Sequence, residues 1–318
     1  MKNFVHTVLG TVTCEEIGNI LTHEHILCFS SAMKAQFGFK WFDEEVVEEL
    51  AIKQLKQAKE KCNINTIIDA TPVNLGRDVE LLKRVSDKSG VNIIVSSGLY
   101  HTEELFIKGK SIELLADFFI EECQNGISDS KVMPQLLKCA TGTQGVTRLN
   151  RKILDAMSLV QKQTRLPLYV HAEHCIESGT RQLEILEQNG VDISRVIIGH
   201  CSDSNDIEYL LKLARSGCYL GFDRIYPACY VEQAKIIKKI IDSGYEERIL
   251  LSHDRPVFSE SFNMTWHEFR CNEVDIEYGY MLVHQKLILE LRKLGVTPEL
   301  IEKISIQNPM DLLFDRRN

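Results

Sequence analysis

The sequence has no excess of positive charge. Its 37 Lys and Arg residues face 45 Asp and Glu, a formal net charge of -8, and the pI is near 5.7. Nucleic-acid-binding proteins usually present a basic face, so a nucleic-acid partner is not expected, although a few local cations could still hold an anionic small molecule. No apolar run approaches the roughly 18 residues of a membrane span, and no membrane association is expected. The opening residues MKNFVHTVLG lack the apolar core and small-residue cleavage site of a signal peptide. Ten cysteines are scattered from Cys14 to Cys271 without a C-x-x-C pair, which argues against a zinc knuckle or a thiol redox motif. Thiols in that number without an export signal lead us to expect a reducing cytoplasm. G-x-G-x-x-G is missing after the first strand-like run, which weakens a dinucleotide-binding reading. G-x-S-x-G is missing too, which counts against a serine hydrolase.

What is present is an alternation. Hydrophobic content is 44% over 318 residues, enough for a full core. Eight short apolar runs stand out: GNILTHEH, NTIIDAT, VNIIVSSG, QLLKCA, PLYVHAE, RVIIGH, CYLGFD and RILLSHD. Each is continuous rather than alternating, as in parallel strands buried on both faces. Between them lie segments with apolar residues three and four apart, such as EEVVEELAIKQLKQAK, TRLNRKILDAMSLVQK and DIEYLLKLARS, the spacing of helices with one buried face. Gly90, Gly190 and Gly217 close several of these segments, where a helix C-cap favours glycine. Eight such units in unbroken order predict an α/β fold, a (β/α)8 barrel, with residues 1–318 as a single domain. The longest poorly patterned stretch runs from Arg255 to Glu277, and a loop of that length in a barrel is usually functional.

The polar residues fall at one end of these runs. The first ends in His23-Glu24-His25, the fourth carries Lys138, the fifth ends at His171, the sixth at His200 and the eighth at Asp254. Active sites of this fold lie at the C-terminal strand ends, so residues far apart in sequence would share one pocket. His23 and His25 are two apart, so on a strand they point the same way and could reach one ion at about 2.0–2.1 Å. Any one of these residues alone is as readily a satisfied polar group or, for Asp254, a helix cap. Four histidines and an aspartate at the same end of their strands together predict a metal site.

LTHEH, the Lys138 strand, HAEH, IGHCSDSND and LSHD resemble the phosphotriesterase family of the amidohydrolase superfamily, in order and over nearly the whole chain. The family comprises phosphotriesterases, phosphotriesterase-like lactonases and phosphotriesterase homology proteins. The resemblance implies two divalent ions, zinc in first place, with manganese, cobalt or iron also compatible with histidine and carboxylate ligands. His23, His25 and Asp254 would hold the more buried ion, His171 and His200 the more exposed one. Lys138, N-carboxylated, would bridge both. An ammonium has no lone pair, whereas the carbamate made with CO2 is a bidentate anion. Some branches carry Glu at that position, so Lys138 favours the lactonase and phosphotriesterase branches over the homology proteins. The ions would share a hydroxide that attacks a carbonyl carbon or phosphorus centre, with Asp254 as the proton shuttle.

Three further residues are implied as substrate contacts. Tyr100 resembles the tyrosine that meets the lactone oxygen in the lactonases. Arg224, in GFDRIYP, resembles the Asp-Arg pair of the same branch. Arg270, in the loop after the last strand, could clamp a phosphate through two hydrogen bonds. His174 reads as pocket wall or helix cap, and His6, His101 and His284 receive no role. The expected activity is hydrolysis of a sugar lactone, phosphorylated in one version, because HEFRCNEVD in the last loop suits a polar substituent better than an alkyl tail. The alternatives are a phosphotriesterase (aryldialkylphosphatase), an acyl-homoserine lactonase and, against the intact ligand set, a non-catalytic barrel. The partner is a small molecule. Family members are often dimers, so the resemblance allows a homodimer.

Overall fold

The computed structural model describes residues 3–261, 266–271 and 278–316, the side chains of Arg270 and Cys271 excepted. Its centre is a ring of eight parallel strands: β1 (Asn19–Glu24), β2 (Ile64–Asp69), β3 (Asn92–Gly98), β4 (Leu136–Ala140), β5 (Leu168–His171), β6 (Val196–Ile198), β7 (Tyr219–Phe222) and β8 (Ile249–Leu251). Each pairs in parallel with the next in chain order. All eight apolar runs therefore became strands. No ladder joins β8 to β1 among the described residues. The ring closes instead through the Asp254 amide, which donates to the His23 carbonyl at 3.0 Å, and the His23 amide, which donates to Ser252 Oγ at 2.9 Å. This is the (β/α)8 barrel that the alternation predicts.

Helices fill the connections: α1 (Glu44–Cys62), α2 (Val79–Ser89), α3 (Ile112–Asn125), α4 (Arg148–Thr164), α5 (Ser178–Gln188), α6 (Ile207–Arg215), α7 (Tyr230–Asp242) and, after a π-helical turn at Val283–Leu287, α8 (Ile288–Lys293). Several begin on a capping side chain: Asp43, Asp78, Ser111, Thr147 and Asp206 each accept a first-turn amide, which satisfies a backbone donor that the helix cannot. No described helix is long and apolar enough to cross a membrane.

Strand side chains divide by parity. Ile68, Ile94, Leu136, Tyr169, Ile197, Tyr219 and Leu250 pack together along the barrel axis, while Ile67, Ile93, Leu137, Ile198 and Leu220 pack under the helices. That period of two fixes what faces the pocket. Lys138 is two residues beyond Leu136, His171 two beyond Tyr169, and Asp254 four beyond Leu250. At β1 parity is interrupted by a register shift between Leu21 and Glu24, and such shifts exchange the two faces. At the end of β6 the change is made by His200, whose left-handed backbone (φ 61°) re-aims its ring.

Two features lay outside the sequence reading. A hairpin pairs Phe4–Thr7 with Gly10–Thr13. The stretch after β8 also contains order: Phe258–Ser259 forms a short parallel pair with Leu27–Cys28, and Trp266–Cys271 is helical. The pairing ties the wall after β8 to the segment after β1. Trp266 packs there against Phe258 at 5.1 Å and Phe269 at 5.3 Å between ring centroids.

Candidate metal centre

The C-terminal strand ends surround a cavity of about 620 Å³, within the usual range of small-molecule sites. His23, His25, Lys138, His171 and Asp254 line it, with Tyr100 and Arg224 on its wall. His200 lies immediately behind, its Nε2 at 2.6 Å from His171 Nδ1. The structure thus brings together the six residues singled out as ligands from the sequence.

Each imidazole has one nitrogen tethered by the protein. His23 Nδ1 is bound to Asp223 Oδ2 at 2.7 Å, His200 Nδ1 to Asp223 Oδ1 at 2.9 Å, and His25 Nδ1 to Thr71 Oγ1 at 2.7 Å. His171 Nε2 meets Glu173 Oε1 at 3.2 Å. The other nitrogens turn toward neighbouring candidates: His23 Nε2 and His25 Nε2 approach Asp254 Oδ1 at 3.3 and 3.2 Å. Ligating histidines are held in this way, with the free nitrogen facing the ion. His23, His25 and Asp254 can each offer a ligand atom within 4.8 Å of the others. His23, His200 and Asp223 form a second such group. Asp223, however, already accepts from His23 Nδ1, from the amide and Nδ1 of His200, and from the Tyr169 hydroxyl. Four donors fill a carboxylate's acceptor sites, so Asp223 orients the rings from behind.

Charge follows the same design. Burial and then the Lys138 ammonium push His23 down to about 3, and burial and then His200 push His171 well below the usual histidine range. Both rings are therefore neutral and keep a lone pair for a cation. Burial would raise Asp254, but the imidazoles of His23, His200 and His25 outweigh it and hold the carboxyl well below the usual range. Imidazole nitrogens beside an ionised carboxylate form a donor set that suits divalent ions. His25 differs in charge: against burial, Cys28 and Asp254 hold it well above the usual histidine range, so a cation there would displace its proton. Asp254 has a left-handed backbone (φ 51°), uncommon outside glycine and concentrated at functional sites.

Lys138 is 1% exposed. Its Nζ lies 2.9 Å from His23 Nε2 and 4.8 Å from the centre of the Tyr169 ring. Among the described residues no carboxylate forms an ion pair with it within 4.0 Å, a poor setting for an ammonium. Burial pushes its pKa down to about 8, so much of the amine is neutral near pH 8. Gly98 makes room beside it: a Cβ there would overlap the Lys138 carbonyl oxygen, and φ is +137°.

Tyr100 lies beside the centre, its ring 5.3 Å from that of His171 and 4.2 Å from that of His101. Burial keeps its hydroxyl protonated, so it is a hydrogen-bond donor into the cavity. The Arg224 guanidinium links two carboxylates, Nε to Asp254 Oδ2 at 2.9 Å and Nη1 to Asp203 Oδ2 at 2.7 Å. The side chain of Arg270 lies outside the described residues. His174 is turned away from the centre, its Nε2 donating to the Gly199 carbonyl at 2.7 Å. Asp223 entered the sequence reading only as the acid of the Asp-Arg pair, and Thr71 not at all; both tether ligand imidazoles from behind. The tethering role of Asp223 could have been suspected from its place at the end of the seventh strand; Thr71 carries no comparable signal.

Comparison with known proteins agrees with this arrangement. Residues 3–313 match the Phosphotriesterase family. The "Phosphotriesterase homology protein" of Mycobacterium tuberculosis is 29% identical over 327 residues, covering 98% of each chain. The "Aryldialkylphosphatase" of Saccharolobus solfataricus is 27% identical over 314 residues, covering 94% of this chain and 96% of its own. The solved structure of the phosphotriesterase from Mycobacterium tuberculosis superposes with a TM-score of 0.89 at 28% identity, covering 98% of each chain. Identities of 29% and 27% do not separate the branches.

Proposed function

The chain belongs to the phosphotriesterase family, and from that premise we propose that this hydrolase opens lactones, a sugar lactone first of all and in one version a phosphorylated one, at a binuclear metal centre. His23, His25 and Asp254 would hold one ion, His171 and His200 the other, and Lys138 would join both as its carbamate. When bound, the ions supply Lewis acidity, acidifying water and polarising the substrate oxygen. The neutral Lys138 amine would add to CO2 and lose a proton, leaving an anion where the protonated side chain would be a buried cation. Asp254 accepts the proton of the attacking water. Arg224 keeps its own proton, its pKa raised against burial by Asp254, Asp203 and Asp223, and so orients Asp254 through Oδ2. The Tyr100 hydroxyl donates to the ring oxygen as the ester bond breaks.

The observation that supports a polar lactone is the chemistry of the cavity wall. Tyr100, Arg224, Tyr226, Arg255, Ser259 and Glu260 contribute to it. Hydroxyl, guanidinium and carboxylate groups match a polyhydroxy ring, whereas a phosphotriester brings three apolar arms and no hydrogen-bond donor. Leu75 and Val257 also line the cavity and, with the aryldialkylphosphatase relative, keep a phosphotriesterase as the second reading. The test is a panel of sugar lactones with and without phosphate, acyl-homoserine lactones and paraoxon, assayed with metal-loaded protein. The highest kcat/KM is expected on a sugar lactone. Good paraoxon turnover with no lactone opened would reverse the order of the two readings.

A further inference from the structure

The strand ends β1 and β8 carry ligand candidates but share no backbone ladder among the described residues. The residue between His23 and His25 occupies that seam. Glu24 is fully buried. Its Oε1 accepts from Ser252 Oγ at 2.7 Å, the His253 amide at 2.9 Å and His253 Nδ1 at 2.7 Å, and its Oε2 accepts from the Arg255 amide at 3.2 Å. These partners bracket Asp254 on both sides in sequence. The remaining residue of the segment, Asp254, sends its own amide to the His23 carbonyl.

The partner atoms fix the state of the clamp. The Val283 amide donates to His253 Nε2 at 3.0 Å, so that nitrogen is an acceptor and Nδ1 carries the hydrogen. Ser252 Oγ accepts from the His23 amide, so its hydrogen is free to go to Glu24. All four contacts therefore donate to Glu24, and the form that satisfies them is the carboxylate. His253 extends the connection to the first residue of the π-helical turn.

We propose that Glu24 is a positioning residue: it fixes the Ser252–Arg255 turn and thereby the left-handed backbone and carboxylate orientation of Asp254. The ring closure of the barrel and the placement of Asp254 would then depend on one buried side chain of β1. The inference rests on the reading of Asp254 as proton acceptor and metal ligand. Glu24→Gln is the informative change, because it keeps shape and one carbonyl oxygen. That oxygen can retain the three donors now on Oε1, while the amide turns a donor toward the Arg255 amide.

Two readouts on the metal-loaded protein test it. Amide hydrogen exchange in Glu24→Gln should speed up about tenfold or more across Ser252–Arg255, by loss of a charge-assisted hydrogen bond, with Leu136–Ala140 unchanged. The kcat should fall about ten- to hundredfold on the best lactone with KM within about twofold. Equal acceleration of exchange in both segments would reveal general destabilisation and overturn the proposal, as would faster exchange at Ser252–Arg255 with normal kcat. Asp254→Asn is the control for the underlying reading: retained kcat there would remove the role of Asp254, while the exchange arm would still decide whether Glu24 holds the turn. Should Glu24→Gln prove too unstable, Ser252→Ala removes one donor to Glu24 together with the acceptor of the His23 amide and should shift both readouts in the same direction; no shift in either would count against the clamp.

Discussion

Replacing Asp223 by Asn alters one buried group without changing its size. The native carboxylate accepts four hydrogen bonds, two on each oxygen: His23 Nδ1 and the Tyr169 hydroxyl on Oδ2, the His200 amide and Nδ1 on Oδ1. An amide has one acceptor oxygen, so whichever way Asn turns, two of these donors meet an N–H. Each buried donor left unpaired costs about 1–3 kcal/mol, or roughly 2–6 kcal/mol in all. Part of that cost falls on folding. The part that reaches the centre is the freedom that the two imidazoles regain, and losses of this kind weaken metal binding about 10- to 100-fold. Because Asp223 holds His23 of one ligand set and His200 of the other, both ions should weaken. Thr71→Val, which removes only the tether of His25 Nδ1, should weaken one. The assay is competition with a chelating dye, with circular dichroism to verify that the variants are folded. Two affinities within about twofold of the parent in Asp223→Asn would refute the assignment of Asp223 as the orienting carboxylate.

Other outcomes follow from the same geometry. Lys138→Ala should retain less than half the metal and lose nearly all turnover, and short carboxylic acids added to the buffer should restore part of both; full activity without them would show that Lys138 bridges nothing. Tyr100→Phe should lower lactone kcat/KM about tenfold, the worth of one directed hydrogen bond, and change paraoxon turnover much less; equal losses would make the tyrosine a packing residue. Among the described residues both ring nitrogens of His284 lack a hydrogen-bond partner, and burial and then His253 push it down to about 4 from an ordinary 6.5. The unfolded chain therefore binds more protons between those values, and stability is lost as pH falls through that window. His284→Leu should flatten the fall in Tm between pH 6.5 and 4 without lowering Tm at pH 8; an unchanged slope would contradict it.

The fold was legible because its signals are local and repeated. Eight apolar runs of strand length, each followed by a helical period, leave a barrel as the economical solution, and the ligand candidates stand at the ends of their runs. The aiming of those ligands was not legible. His23 depends on a register shift, and His200 and Asp254 on left-handed backbone at non-glycine residues. Neither leaves a mark in periodicity. The tethering contacts were equally hidden: Asp223 was legible only as the acid of an Asp-Arg pair, and Asp223, Thr71 and Glu24 act through partners 23 to 231 positions away, contacts that only the closed ring creates. The pairing of Phe258–Ser259 with Leu27–Cys28 was missed for the same reason: two residues are too few to show a period.

The most direct measurement is a crystal structure of the metal-loaded protein with anomalous diffraction recorded at the edge of the bound metal. Two ions are expected, one among His23, His25 and Asp254 and one between His171 and His200, with extra density on Lys138 Nζ for a carbamate that joins them. A single ion, or none, with Lys138 present as an unmodified amine would contradict the binuclear centre from which the proposed lactone hydrolysis is argued.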